Sequence, residues 1–333
     1  MNKLFFKNKV LLITGGTGSL GQSLVSYILK NKFSIKKIII FSRDEWKQNE
    51  MSKHFPEEKY PSIRYFLGDI RDKDRLRLAL KDVDYIIHAA ALKHVPIAEY
   101  NPFEFIKTNI VGTQNLIEAS LNSSVKKVIA LSTDKACSPL NLYGATKLCL
   151  EKLILSSNNV KGRQKISFGV VRYGNVLGSR GSVLLNFIEQ KKTNKFNITD
   201  LNMTRFLMML EDSVEFVLFA LEKSTGGEIF VPKLPSFYIK DLALAITNKA
   251  IFNVTGIRPA EKINEDMISE FEGRSTVEFS DHYKILNEIF ITKKKRSLGS
   301  NFSYNSKNNK NFLSVQDLRF ILKKKFNHLI KVD

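Results

Sequence analysis

Tyr143-Gly144-Ala145-Thr146-Lys147 spaces a phenol and an ammonium four residues apart, which on a helix puts both on one face, one turn from each other. A free phenol titrates near about 10 and is a poor base at neutral pH; a cation beside it lowers that value and makes it a proton acceptor. Ten residues upstream of Tyr143 stands Thr133, followed by Asp134 and Lys135, an acid and a base side by side. A Y-x-x-x-K pattern arises by chance in many chains, and a charged pair is often only a solvated loop. Both gain weight from what precedes them.

The apolar run Val10–Thr14 leads directly into Gly15-Gly16-Thr17-Gly18-Ser19-Leu20-Gly21, which spells G-x-x-G-x-x-G between a strand and a helix. Glycines permit the tight turn and the close approach of backbone to ligand, and the helix start offers amide N–H groups to a pyrophosphate. This predicts a nicotinamide dinucleotide site. At the end of the second apolar run, Ser42, Arg43 and Lys47 suit the 2′-phosphate of NADP, whereas Asp44 is the counter-signal, a carboxylate able to accept the ribose hydroxyls of NAD. NADP is expected. Asp69 and Ile70 after the third run, and the small Ala89-Ala90-Ala91 after the fourth, continue the expected lining. Tyr143 and Lys147 behind such a domain read as a short-chain dehydrogenase.

A doubly wound α/β scaffold brings these stretches together. From Lys9 to about Phe168, Val/Ile/Leu-rich runs (Val10–Thr14, Lys37–Phe41, Ile63–Leu67, Tyr85–His88, Lys127–Ser132, Ser167–Arg172) alternate with segments of helical period such as Gly21–Lys30, Lys73–Leu80, Phe103–Ser120 and Tyr143–Ser156. Such a rhythm gives a parallel sheet covered on both faces. After Gly174 the alternation breaks into shorter pieces separated by Gly, Ser and Thr. The expected division is a dinucleotide-binding domain over 1–176, a smaller α/β substrate region over 177–297 and a basic tail over 298–333. In that tail the polar stretch Asn301–Asn311 precedes an apolar-periodic Phe312–Leu322 that either docks as a helix or frays.

Composition narrows the classes further. Hydrophobic residues at 43% and charged residues at 26% exclude disordered and collagen-like chains, and no stretch approaches the ~20 apolar residues of a membrane span. Neither a cleaved leader nor a span is expected. Two cysteines, Cys137 and Cys149, are too few for a disulfide framework or a zinc site and fit a reducing cytosol. The formal charge of +19 raises nucleic-acid binding, but about 8 of those charges sit beyond Leu286 and no nucleic-acid motif accompanies the rest. No nucleic-acid partner and no metal are expected.

Leu131-Ser132-Thr133-Asp134-Lys135-Ala136, His88-Ala89-Ala90-Ala91-Leu92-Lys93-His94-Val95-Pro96, Arg172-Tyr173-Gly174-Asn175-Val176 and Gly178-Ser179-Arg180-Gly181-Ser182 carry a finer likeness. Together they resemble the inverting UDP-N-acetylglucosamine 4,6-dehydratases, extended short-chain dehydrogenases that open pseudaminic acid synthesis in bacteria. The similarity runs from Val10 to about Leu318. It implies that Tyr143 takes the proton of the sugar 4-hydroxyl as hydride leaves C4, with Lys147 on the nicotinamide ribose and Thr133 near O4. Lys135 then removes the C5 proton while Asp134 protonates the departing 6-hydroxyl, and return of the proton to the other face inverts C5. Leu131, Ser132 and Val176 join the cofactor lining. Lys93 and Asn175 meet the sugar, and Arg180, Thr199, Met203, Arg205, Arg258 and Glu261 meet the UDP.

Where the family commonly reads R-P-G-E-K and then a histidine, this chain reads Arg258-Pro259-Ala260-Glu261-Lys262-Ile263-Asn264, so a glycine with positive φ would be replaced by alanine and the loop would shift. The resemblance also implies a homo-oligomer, often a hexamer, and the soluble rather than the membrane-anchored form. A UDP-sugar 4-epimerase and a retaining 4,6-dehydratase share the cofactor domain. An epimerase needs no acid–base pair for elimination, and retaining dehydratases usually carry Asp-Glu where this chain has Asp134-Lys135. A cofactor-sensing protein without turnover is the remaining alternative; such proteins tend to lose the Tyr or the Lys.

Overall fold

The six apolar runs form strands at the expected places: β1 (Val10–Thr14), β2 (Lys37–Ser42), β3 (Ile63–Leu67), β4 (Tyr85–His88), β5 (Lys127–Thr133) and β6 (Ser167–Tyr173). The computed structural model describes residues 2–179, 181–257, 260–286 and 297–330. Later in the chain come β7 (Lys195–Ile198), β8 (Thr204–Phe206), β9 (Glu228–Pro232), β10 (Ser236–Tyr238), β11 (Ile251–Val254), β12 (Asp266–Ile268), β13 (Thr276–Glu278), β14 (His282–Leu286) and β15 (Tyr304–Asn305).

One sheet of nine strands, ordered β13-β14-β9-β6-β5-β4-β1-β2-β3, forms the centre. Strands β3 to β9 in that order are parallel, and β14 and β13 are antiparallel additions at one edge. Alternate side chains of each strand enter opposite layers, which is why the runs are apolar throughout rather than every second residue. Leu11, Ile13, Ile38, Ile40, Ile87 and Ile129 pack with Leu24, Ile28, Val214 and Val217 of the helices Ser19–Lys30 and Leu210–Lys223. Leu12, Ile39, Ile86, Val128 and Val170 pack with Leu116, Leu150 and Ile154 of the helices Gly112–Leu121 and Leu142–Val160. Chain order reverses between β1 and β4, which opens a crevice at the carboxyl ends of the strands. Residues on both sides of position 176 contribute to this sheet, because β9, β13 and β14 extend it.

The expected single helix over Phe103–Ser120 differs in its middle. Between Pro102–Phe105 and Gly112–Leu121 the chain makes a π-helical turn, Ile106–Val111. Its effect falls on Asn109, fully buried, whose amide clasps the Leu92 backbone in both directions at 2.9 Å and donates to Thr146 Oγ1 at 3.0 Å. One π turn thus ties the loop before Lys93 to the helix that carries Tyr143 and Lys147, and such turns recur at functional sites.

Beyond Leu177 a third apolar cluster joins Leu184, Phe187, Phe196 and Leu242 to Leu318, Leu322 and Phe326. The last three lie on or just after the helix Val315–Lys325, which starts at a Ser314/Asp317 capping box and docks on Ile239–Ile246. The polar stretch before it is also held, by Ser306 Oγ on Thr204 Oγ1 at 2.7 Å and Asn309 Nδ2 on the Leu234 carbonyl at 2.7 Å. Among the described residues no helix is long and apolar enough to cross a membrane.

Candidate active site

A cleft of about 1380 Å³ runs from the glycine loop across the strand ends to the second region. That is larger than a site for one small ligand and suits two ligands end to end. Of the residues expected from the sequence, every described one lines this cleft except Asp134. Arg180 and Arg258 lie outside the described residues.

At the glycine loop, Gly15 has φ +66°, and a Cβ there would sit 2.8 Å from Ala90 Cα. The small Ala89-Ala90-Ala91 and the bare Gly15 are therefore one feature, a close crossing of two strand ends. The helix Ser19–Lys30 begins at Gly18 with no side-chain cap, so its first amides remain for a ligand. These residues fit a dinucleotide pyrophosphate. At the end of β2, Asp44 Oδ1 accepts from the Lys47 backbone N–H at 2.9 Å as a helix N-cap, and Oδ2 pairs with Lys47 Nζ at 2.8 Å. Both oxygens are engaged. Arg43 is half-exposed and only loosely paired, Nη1 lying 3.8 Å from Asp69 Oδ2, while Arg71 holds that carboxylate at 2.7 Å.

The cluster around Tyr143 is built from the end of β5, the 3-10 turn Asp134–Ala136 and the first turns of the helix Leu142–Val160. Asn141 caps that helix by accepting from the Gly144 N–H at 2.8 Å. A Cβ on Gly144 would collide with the Lys135 carbonyl oxygen, so the glycine inside Y-x-x-x-K lets the helix close on the turn. Lys147 donates to the Leu131 carbonyl at 2.7 Å; burial pushes its ammonium down to about 8, and Glu151 one turn on opposes this. Glu151 is itself held at 2.6 Å by the fully buried Arg172, which also reaches Glu272 at 2.8 Å and the Met267 carbonyl at 2.9 Å. Arg172 thus works as an internal strut, its charge matched on two sides as burial requires.

Burial pushes the Tyr143 phenol up to about 12; Lys135 counteracts this, Asp134 adds to it and a hydrogen bond with Thr133 lowers it. Lys135 is the cation that opposes this rise, and the net direction is upward, the reverse of the lowering expected from the sequence. Thr133 Oγ1 also donates to Asp134 Oδ1 at 2.9 Å, and Lys135 Nζ donates to the same oxygen at 3.0 Å. Asp134 is fully buried, with Oδ2 unpartnered, and meets the cleft through Thr133 and Lys135.

One residue of this cluster carries no sequence signal. Glu265, 2% exposed, places Oε1 at 3.3 Å from Lys135 Nζ and 3.6 Å from Arg205 Nε, and its Oε2 is buried without a partner. Burial lowers the Lys135 ammonium, but Asp134 and Glu265 outweigh it and hold the pKa above the ordinary lysine value. Asn175 Oδ1 lies 3.5 Å from the same Nζ.

On the second region, Thr199 and Met203 are buried in the cleft wall. Arg205 spends its fork on the carbonyls of Thr204, Ile263 and Lys262 at 2.7, 2.9 and 3.0 Å, which fixes the loop that carries Glu261. Ala260 has φ +62°, so alanine adopts the left-handed conformation that the family's glycine would supply, and its carbonyl accepts from Asn141 Nδ2 at 3.1 Å. Strain of about 1–2 kcal/mol is the cost, rather than a different backbone path. Asn264 Oδ1, at the histidine position of the family pattern, accepts from Thr204 Oγ1 at 2.7 Å.

Comparison with known proteins agrees with this geometry. Residues 11–287 match the family described as polysaccharide biosynthesis protein. The inverting UDP-N-acetylglucosamine 4,6-dehydratase of Campylobacter jejuni serotype O:2 is 50% identical over 331 residues, covering 95% of this chain and 98% of that one. UDP-glucose 4-epimerase of Rickettsia bellii is 46% identical over 289 residues, 84% of this chain and 83% of that one. The X-ray structure of Pen from Bacillus thuringiensis superposes with a TM-score of 0.88 at 39% identity, covering 96% of this chain and 99% of that one.

Proposed function

Because the chain belongs to the polysaccharide biosynthesis protein family and, within it, to the inverting UDP-N-acetylglucosamine 4,6-dehydratases, we propose that its cleft takes NADP and that Thr133, Asp134, Lys135, Tyr143 and Lys147 carry out the dehydration. The enzyme is a hydro-lyase acting on UDP-N-acetylglucosamine. The observation that carries the residue assignment is the Asp134–Lys135 contact of 3.0 Å in the same cluster as the Tyr143 phenol, an acid and a base where an elimination needs both.

Bound cofactor supplies the hydride chemistry, accepting hydride from C4 of the sugar and returning it to C6. Tyr143 takes the 4-hydroxyl proton, and Lys147 orients the nicotinamide ribose. The ketone at C4 acidifies the proton on C5. Within the Asp134–Lys135 pair the shared proton passes to the carboxylate, leaving an acid beside an amine. Lys135 accepts the C5 proton, the C5=C6 bond forms, the C6–O6 bond breaks, and the proton from Asp134 leaves in water, with the Thr133 hydroxyl joining that carboxylate to the cleft. As hydride returns to C6, a proton from solvent adds to C5 on the other face, and the proton held by Tyr143 passes to solvent, which restores the site.

Preference for NADP is supported by a half-exposed Arg43 and by the engagement of both Asp44 oxygens within the protein. Titration of both cofactors tests it. Arg43→Ala is expected to weaken NADP by about 10-fold to 100-fold, the worth of a charge-assisted hydrogen bond, and to leave NAD nearly unchanged. Equal affinity of the unaltered protein for both cofactors contradicts it. Self-association is supported by Ile97, Tyr100 and Phe103, exposed on the neighbouring helices Val95–Tyr100 and Pro102–Phe105.

A further inference from the structure

We propose that Glu265 is a positioning residue of the elimination step: with Asp134 it clamps the Lys135 side chain, and it keeps that side chain in place once Asp134 has taken the proton. The inference rests on the dehydratase reading of the site and deepens it. Three observations carry it. Glu265 Oε1 lies 3.3 Å from Lys135 Nζ, close to the 3.0 Å of the Asp134 contact, so two carboxylates share one ammonium. Its other oxygen is buried without a partner on a residue that lines the cleft, which a purely structural acid does not require. Its backbone is fixed on both sides, the Glu265 N–H donating to Ser306 Oγ at 2.9 Å and the Ser306 N–H to the Glu265 carbonyl at 2.9 Å.

The chemistry explains why one carboxylate does not suffice. In the reactive form Asp134 holds the proton and Lys135 is an amine, both neutral. When C5–H breaks, its proton joins Lys135; when C6–O6 breaks, the Asp134 proton leaves in water. The end state is again ammonium and carboxylate. When Asp134 takes the proton it no longer holds Nζ as a carboxylate, and Glu265 at 3.3 Å keeps the side chain in place; because its charge favours the resting ammonium as well, the contribution is to the position of the lysine and not to its strength as a base. The charged and titratable groups acting on Lys135 are Asp134, Glu265 and Arg205, and Tyr143 is coupled to it; Arg205 opposes the ammonium and is itself 3.6 Å from Glu265. Removing Glu265 therefore leaves Lys135 with Asp134 as its one anion, and leaves Arg205 with only the longer contact of 3.8 Å to Glu261. Ser306 lies in the polar stretch beyond residue 298, so the tail takes part in building the site.

Single-turnover reactions of the full chain with NADP and UDP-N-acetylglucosamine in deuterated water test this. For Glu265→Gln, reduced cofactor is expected to appear at the rate of the unaltered enzyme, while water loss and deuterium entry at C5 fall by about 100-fold with KM unchanged. Glu265→Asp, which keeps the charge, regains part of the loss. Water loss at the original rate in Glu265→Gln overturns the proposal. So does an equal loss of C4 oxidation and elimination that Glu265→Asp does not relieve, since that is the signature of a structural role. Should Glu265→Gln fail to fold, Ser306→Ala is read in its place, with a smaller defect in the same step expected and a defect in no step contradicting it. If the unaltered enzyme forms no 4-keto sugar, the dehydratase reading itself fails and the proposal falls with it.

Discussion

Tyr143→Phe is expected to bind the cofactor as the unaltered enzyme does and to form no reduced cofactor on mixing with UDP-N-acetylglucosamine. The substitution removes one oxygen from a buried ring whose helix is fixed by other groups: the Asn141 cap, Gly144 against the Lys135 carbonyl, and Asn109 on Thr146. Shape therefore survives, and only the acceptor for the 4-hydroxyl proton is lost. Loss of a positioned general base costs about 100-fold to 10,000-fold, or about 3–5 kcal/mol of barrier. Because oxidation at C4 precedes every later step, the deficit appears in overall turnover and in the first absorbance change alike. Turnover near that of the unaltered enzyme would exclude Tyr143 as the base.

Lys135→Ala is expected to stop one step later. Reduced cofactor is expected to accumulate, though more slowly because Lys135 no longer draws the Tyr143 phenol down, while water is not lost, since nothing is left to take the C5 proton; a fall of about 100-fold or more in water loss is expected. The substitution also strands Asp134 and Glu265 near one another without the cation they share, and breaking a buried ion pair costs about 3–5 kcal/mol. A lower melting temperature is thus part of the expected result. Accumulation of reduced cofactor separates the chemical defect from unfolding, since an unfolded chain oxidises nothing. If Lys135→Ala released 4-keto-6-deoxy product at the original rate, the base would have to be another group.

The parts of this site that could be read from the sequence are those whose signal is local. Val10–Thr14 followed by four glycines states a strand, a turn and an uncapped helix within twelve residues, and each is where expected. The Tyr143–Lys147 spacing is similarly short-range. Glu265 is not: it meets Lys135 only because β12 and the tail pack beneath the β5 end, and among the acids of 261–272 nothing in the chain marks it out. The burial of Asp134 was hidden for the same reason, since an acid between Thr133 and Lys135 reads as solvated until β6 and Gly174 cover it. Asp44 could be read either as a ribose acceptor or as a surface charge; that it caps the helix Glu45–His54 is visible only in the structure. The π turn at Ile106–Val111 is a tertiary adjustment within a segment whose sequence is simply helical.

The 46% identity to a UDP-glucose 4-epimerase makes the choice between epimerisation and dehydration the one on which the account turns. The Asp134–Lys135–Glu265 cluster has work in an elimination and none in an epimerisation, where only C4 changes. Incubating the unaltered enzyme with UDP-N-acetylglucosamine and NADP in deuterated water, and recording mass and NMR spectra early in the reaction, tests this most directly. The expected product has lost one water, carries deuterium at C5 and is UDP-2-acetamido-2,6-dideoxy-β-L-arabino-hex-4-ulose. A product that keeps the mass of the substrate and is altered only at C4 would contradict the account.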